Sequence, residues 1–312
     1  MTDELAQRVL AGERRALARA MTLVENETDA GREALRSLYP HTGRAHTIGV
    51  TGSGGAGKST LTNALAKEYR RRGMTVGIVA VDPSSPFTGG AILGDRIRMQ
   101  DLSGDEGIFM RSMATRGALG GLSATAADAV AVLDAAGKDI ILLETVGAGQ
   151  DEVEVASAAQ TTLVLNTPGT GDDVQTLKAG IMEIADILVV NKADLPGTDA
   201  LVAQLRALLS ISEHGDWLIP ILKVVATRGD GIPELADAIA KHRTYLETTG
   251  RLEKDRRERA RRQIVAAAQA ELLRRAIRQA GEKGLDDLVA AVAERRVDPH
   301  TAAGQLIDTV AG

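Results

Sequence analysis

Apolar positions along the chain fall into three textures. Up to about residue 45 they recur at helical spacing, with Leu10, Leu17, Met21 and Val24 near one face and Arg14, Arg15 and Arg19 between them. Pro40, Thr42 and Gly43 then mark a loop. From His46 to about Tyr245, short β-branched runs alternate with longer helical stretches. The predicted strands are residues 48–51, 76–81, 107–110, 140–143, 162–165, 187–190 and 222–226. These runs are apolar throughout instead of alternating. Strands of that kind are covered on both faces, which predicts a mostly parallel sheet with helices on each side. From about 250 to 312 the pattern is helical again, with a stripe of Ile264, Ala268 and Leu272. Asp298-Pro299 reads as an N-cap followed by Pro at the first helical position. No internal repeat or low-complexity linker interrupts the chain. The expected organisation is one α/β domain over residues 46–248, a helical N-terminal arm at 1–45 and a helical C-terminal extension at 249–312.

Composition narrows the chemistry. The 312 residues include 49 Ala and 33 Gly, only 6 aromatic residues and no Cys. Disulfides, thiolate metal sites and cysteine nucleophiles are therefore excluded. So few rings argue against stacking on nucleic-acid bases. A net charge of −5 gives no general pull toward nucleic acid or an anionic membrane. No run of 18 apolar residues exists, and Met1-Thr2-Asp3-Glu4 is too polar and acidic for a signal peptide. A soluble, cytoplasmic protein is expected, with no nucleic-acid or membrane partner. Residues 251–278 carry 10 Lys/Arg against 4 Asp/Glu, a local charge of +6. The interspersed acids and the apolar stripe mark a packed helix with a solvated face instead of an RNA or membrane surface.

One segment carries definite chemistry. Gly52-Ser53-Gly54-Gly55-Ala56-Gly57-Lys58-Ser59 fits G-x-x-x-x-G-K-[ST] at every fixed position. It follows the first predicted strand and precedes a helical pattern at Leu61, Leu65 and Tyr69. Glycines let backbone N–H groups turn around phosphate oxygens at the positive end of that helix. Lys58 is placed to neutralise the β- and γ-phosphates, and Ser59 to put its hydroxyl on Mg²⁺, with Thr60 beside it. Arg70, Arg71 and Arg72 suit the helix C-terminus and Gly73 its C′ position, so the arginine run reads as a helix end.

Residues 187–190 lead into Asn191-Lys192-Ala193-Asp194, the N-K-x-D form that GTPases use at a strand end. A carboxylate at Asp194 can accept from both N1–H and the 2-amino group of guanine. Adenine lacks that donor pair, and a site built for it can reject such an analogue by roughly 10⁴-fold. Asn191 is expected to brace the loop and contact the base, with Lys192 over it. Ala226, in Ala226-Thr227-Arg228-Gly229, is either a backbone contact to the guanine oxygen or plain loop. Glu144 follows the fourth predicted strand at the position that holds Mg²⁺ directly or through water. Gly147 can offer its N–H to the γ-phosphate. The residue after it is Ala148, where Ras-like enzymes have a water-positioning Gln. Gln150 comes later and is not assigned as catalytic on spacing, so slow intrinsic hydrolysis is expected. Asp82 and Asp95 can approach Mg²⁺ and Arg98 can meet phosphate; for each, a structural cap or surface ion pair is the alternative.

The stretches Val79-Ala80-Val81-Asp82-Pro83-Ser84-Ser85, Thr88-Gly89-Gly90 with Ile92-Leu93-Gly94-Asp95-Arg96, Glu144-Thr145-Val146-Gly147-Ala148-Gly149-Gln150, and Pro168-Gly169 with Gly171-Asp172-Asp173, Gln175, Lys178 and Gly180 are characteristic. Over essentially its whole length the chain resembles the MeaB family of GTPases, once labelled ArgK or LAO/AO transport ATPases. These accompany methylmalonyl-CoA mutase and related adenosylcobalamin-dependent acyl-CoA mutases. The resemblance implies a SIMIBI-class P-loop fold, a homodimer using the C-terminal extension, and GTP/GDP and Mg²⁺ as ligands. It implies a chaperone that gates adenosylcobalamin delivery and protects the mutase, with hydrolysis stimulated by the partner. It assigns Lys58, Ser59, Asp82, Asp95 and Glu144 to phosphate and Mg²⁺, and Arg98 to a first switch. It assigns the segment from Asp172 to Gly180, with Asp173, Gln175 and Lys178, to a switch that relays nucleotide state to the partner. The departures are Ser53-Gly54-Gly55-Ala56, where many members carry Pro and Val, and Ala226-Thr227-Arg228 in place of the commoner Ser-Ala form.

Three other readings are weaker. A nickel-inserting GTPase needs Cys and His clusters, and the five His (41, 46, 214, 242 and 300) are scattered in sequence. Direct cobalamin binding through D-x-H-x-x-G has a near match at Asp298-Pro299-His300, but Ala303 stands where Gly is needed. A nucleotide-gated module or kinase component of amino-acid transport should prefer ATP, against the N-K-x-D form.

Overall fold

Among the described residues the fold has seven strands: β1 (His46–Gly52), β2 (Val76–Pro83), β3 (Ile108–Thr115), β4 (Ile140–Thr145), β5 (Thr161–Asn166), β6 (Ile187–Val190) and β7 (Ile221–Lys223). They form one sheet in the order β3-β2-β4-β1-β5-β6-β7, and every neighbouring pair is parallel. The computed structural model describes residues 2–83, 102, 104–115, 122–145, 158–169, 184–211 and 216–311.

All seven predicted runs are strands, and β1, β4, β5 and β6 are buried at every position. The last run differs from expectation at its end. Residues 222–226 read as one strand, but β7 stops at Lys223. Val225 instead bridges antiparallel to Asp230, closing a tight turn on itself.

Both faces of the sheet carry helices. One face packs α4 (Lys58–Arg71) and α7 (Ile232–Thr248) through Leu61, Leu65, Tyr69, Leu235 and Ile239 onto Ile48, Val50 and Leu142. The other packs α1 (Thr2–Leu10), α2 (Arg14–Glu25), α3 (Asp29–Leu38) and α5 (Leu122–Ala135) onto Val79, Val81, Ile141 and Leu143. Leu17, Met21 and Val24 from the N-terminal stripe are buried in that layer. α6 (Thr198–Ile211) covers Val164 and Leu188. Asp134 ties the N-terminal helices to β1 by accepting the backbone N–H groups of Gly43, Arg44 and Ala45 at 2.5, 3.2 and 3.0 Å.

The helix ends follow the sequence signals. Arg71 and Arg72 both bond Glu68, and Arg72 also reaches Asp237 at 2.7 Å. The Arg71 hydrogen bond, reinforced by Arg72, holds Glu68 down to about 2. Gly73 closes the helix at φ +81°. The arginine run is thus a helix end tied to acids of the same chain. The C-terminal segment is a pair of packed helices, α8 (Arg251–Ala293) and α9 (Pro299–Ala311), with α8 broken at Gly281 (φ +67°, ψ 171°). Asp298 caps α9 by accepting the N–H groups of His300 and Thr301 at 2.9 and 3.1 Å. That is the structural reading of the Asp-Pro-His segment.

At the N-terminal edge of the sheet a buried polar chain joins residues far apart in sequence. His46 Nε2 lies 2.8 Å from Thr161 Oγ1, which lies 2.9 Å from His242 Nδ1. His242 Nε2 is 3.3 Å from Asp186 Oδ1, and Trp217 donates to the Asp186 carbonyl at 2.8 Å. Burial holds His46 down to about 3 and His242 to about 4, and lifts Asp186 to about 7. The chain is therefore uncharged over the weakly acidic range. A histidine depressed by folding contributes stability that is present above its unfolded value and lost as pH falls through the folded one. His46, 2% exposed, should therefore remove about 1.4 kcal/mol of stability per pH unit as pH falls from about 6 to 4. Denaturant midpoints of wild type and His46→Gln across that range test this: the variant should show a shallower slope by about that amount.

Candidate nucleotide site

Because all strands run parallel, their C-terminal ends share one edge, where α/β sheets bind ligands. The G-x-x-x-x-G-K-S loop leaves β1 at that edge. Gly52 has φ +137°, and a Cβ there would stand 2.3 Å from the Leu165 carbonyl oxygen on β5, so no side chain fits. Gly57, at φ +91°, provides no side-chain cap for α4, whose first residue is Lys58. The Lys58 ammonium, 7% exposed, donates to Gly52 O at 2.6 Å and Ser53 O at 3.1 Å. In the same turn, Ser59 Oγ donates to Glu144 Oε1 at the end of β4, and Glu144 is buried. Thr60 is exposed beside them.

Asn191, at the end of β6, connects this loop to the rest of the edge. Its Nδ2 donates to Ala56 O at 2.8 Å, while its Oδ1 accepts from Ala226 N–H at 3.2 Å. A Cβ on Gly57 would lie 2.4 Å from that Nδ2, so the amide needs the bare glycine. Lys192 adopts φ +54° and donates to Gly55 O at 2.9 Å. Asp194 is partly exposed and open to solvent on this edge.

The structure thus brings Gly52, Gly55, Ala56, Gly57, Lys58, Ser59, Glu144, Asn191, Lys192, Asp194 and Ala226 to one edge. Asp82 stands near the end of β2, paired in register with Ala114. Asp95, Arg98, Gly147, Gln150, Asp172, Asp173, Gln175 and Lys178 lie outside the described residues. The sequence reading missed Arg228. It donates to Asp230 at 2.9 Å and reaches Asp194 at 3.4 Å, linking the 225–230 turn to the N-K-x-D loop. Its only signal in the sequence was an arginine in the turn named for a backbone contact.

A parallel seven-stranded sheet with this strand–loop–helix and N-K-x-D edge defines a P-loop GTPase fold. A family model described as methylmalonyl Co-A mutase-associated GTPase MeaB matches residues 17–281, and the chain belongs to that family of GTPases. A relative from Pyrococcus abyssi, named a GTPase, is 47% identical over 316 aligned positions, covering 100% of this chain and 98% of its own. GTPase ArgK of Escherichia coli K12 is 40% identical over 266 positions, 82% of this chain and 80% of that protein. The mitochondrial methylmalonic aciduria type A homolog of Mus musculus is 34% identical over 269 positions, 80% of this chain and 65% of the mouse protein. The crystal structure of an LAO/AO transport system kinase superposes with a TM-score of 0.73 at 30% identity, covering 100% of this chain and 98% of that one.

Asn191→Ala would leave Ala56 O and Ala226 N–H without their partner in a buried setting. The expected loss is about 2–6 kcal/mol, at roughly 1–3 kcal/mol for each of the two unsatisfied groups. A urea midpoint unchanged from wild type would contradict the bridge.

Proposed function

We propose that this GTPase gates adenosylcobalamin loading of, and protects, an adenosylcobalamin-dependent acyl-CoA mutase such as methylmalonyl-CoA mutase. What carries the reading is the family match over residues 17–281, whose description names that association. The mouse relative's name, which concerns methylmalonic aciduria, supports the same direction.

In this reading Gly52, Gly54, Gly55, Ala56, Gly57, Lys58, Ser59 and Thr60 hold the phosphates through backbone N–H groups and the Lys58 ammonium. Gly147, outside the described residues, would add its N–H at the γ-phosphate. Asp194 takes the guanine N1–H and 2-amino donors, with Asn191 and Lys192 supporting the loop and Ala226 beside the base. The hydroxyl of Ser59 and the carboxylate of Glu144 already meet, and hard oxygen donors of this kind suit Mg²⁺. Asp82 and Asp95 would complete that set. When bound, the ion supplies charge neutralisation at the β- and γ-phosphates. Arg98 and the segment containing Gln150, Asp172, Asp173, Gln175 and Lys178 would convey nucleotide state to the mutase. The basic helix α8 exposes Ile264 (69%), Val265 (52%) and Leu272 (42%), an apolar stripe suited to a second copy of the chain in a homodimer.

A second reading follows from the superposed structure, that of an LAO/AO transport system kinase. A kinase component of that kind would take ATP. The carboxylate at Asp194 favours guanine.

Asp194→Ala should erase a preference for GTP over ATP of at least about a hundredfold. Competition binding with GDP and ADP reads this, and a retained guanine preference would overturn the base assignment. Adding a purified adenosylcobalamin-dependent acyl-CoA mutase should raise GTP turnover and co-elute with the chain at the mass of a dimer-containing complex. Unchanged turnover and separate elution across methylmalonyl-, isobutyryl- and ethylmalonyl-CoA mutases would sink the partner assignment.

A further inference from the structure

Three hydroxyls at the phosphate end of the sheet are buried and have no hydrogen-bond partner among the described residues: Thr51 Oγ1, Ser53 Oγ and Thr145 Oγ1. Their placement is specific. β1 and β4 pair with Val50 opposite Glu144, so Thr51 and Thr145 are the next neighbours across the two strands. Thr145 also pairs with Val81 of β2, Val81 with Met113 of β3, and Thr51 with Val164 of β5. The row across the sheet therefore reads Met113, Val81, Thr145, Thr51, Val164. Every member is at most 3% exposed. Val81 and Met113 belong to the apolar layer on the N-terminal-helix face, and the alternation of β1 and β4 puts both threonines on that same face. Ser53 lies two residues beyond Thr51, in the first turn of the phosphate loop.

Valine has nearly the shape of threonine and occupies neighbouring positions of this row. A buried hydroxyl without a partner is destabilising, whereas an apolar group of the same shape is not. Two such hydroxyls side by side, with a third in the adjoining turn, call for a ligand small enough for an interior site. Water needs two to four polar partners, and three hydroxyls supply them.

We propose that Thr51, Ser53 and Thr145 seat one ordered water behind the phosphate loop, and that Thr51 and Thr145 are thereby positioning residues for GTP hydrolysis. Thr145 directly follows Glu144, the partner of Ser59. Ser53 and Gly52 present the carbonyls that accept from Lys58. A water shared by the three hydroxyls ties the first turn of the loop to the end of β4. It holds Lys58 in register with Ser59 and Glu144 without touching the nucleotide. Small errors in such a register slow a reaction more than they weaken ground-state binding. The inference rests on reading Gly52 to Ser59 as the phosphate site of the GTPase.

The test uses the full chain with Thr51→Val, Thr145→Val and Thr145→Ser. Steady-state GTP turnover, GDP affinity and the thermal midpoint are measured for each. The valine variants should lower kcat about tenfold, the scale of one lost hydrogen bond, with GDP affinity within about twofold of wild type. Thr145→Ser keeps the hydroxyl and loses the methyl, so its thermal midpoint should fall while kcat stays near wild type. Valine variants with unchanged kcat and a raised midpoint would mean dry hydroxyls and overturn the proposal. So would a kcat that merely follows the midpoint through all three variants. Lys58→Ala separates the two levels. Full turnover in that variant would sink the site itself, whereas a dead Lys58→Ala beside fully active valine variants would sink only the water seat.

Discussion

The side-chain amide of Asn191 is the interaction on which the nucleotide edge depends. Its donor end holds Ala56 O in the phosphate loop and its acceptor end holds the Ala226 N–H in the turn after β7. Its own backbone N–H bonds Asn166 O on β5. One buried residue therefore sets the phosphate loop, the N-K-x-D loop and the 225–230 turn relative to one another. The loop's glycines follow from this constraint. Gly57 leaves room for the amide, and Gly52 lets the chain pass against the carbonyl of Leu165. Lys192 adds a second tie through Gly55 O, in a left-handed backbone conformation that its loop imposes. A site fixed in this way before a ligand arrives loses less conformational freedom on binding.

β1 joins two polar regions of opposite character. It ends at Gly52 in the phosphate loop and begins at His46 in the buried chain of His46, Thr161, His242 and Asp186. The first region is lined with charge and backbone donors. The second is uncharged over the weakly acidic range, because burial depresses His46 and His242 and raises Asp186, and it is enclosed by Trp217 and Tyr245. The C-terminal helices are anchored at this second end. Arg251 lies 5.7 Å from the Tyr245 ring, and Arg259 donates to Ala159 O at 3.2 Å. The α8–α9 pair is thus rooted at the opposite edge of the sheet from the nucleotide loops.

The seven strands and the parallel architecture were legible in the order of residues because each depends on local chemistry. Unbroken apolar runs can be buried only between two helical layers, and glycines followed by Lys-Ser shape a phosphate loop from their own backbone freedom. The end of β7 was not legible. Val224 to Ala226 are as apolar and β-branched as the strand before them, yet Val225 pairs with Asp230 across a turn. The arginines at 70–72 were recognised as a helix end, but their partners Asp105 and Asp237 lie far along the chain.

The linear chain by itself determined the family, the fold class and the residue types of the phosphate and base loops, because motif spacing and hydrophobic period are properties of neighbours. Only the tertiary structure decided what those residues touch. Five histidines that looked scattered include two joined through one threonine, and an arginine in a turn reaches the base-loop carboxylate. Two threonines 94 residues apart on neighbouring strands stand side by side, with their hydroxyls unpartnered among the described residues. Such pairings arise from strand order and register, which bring together residues that no sequence spacing relates.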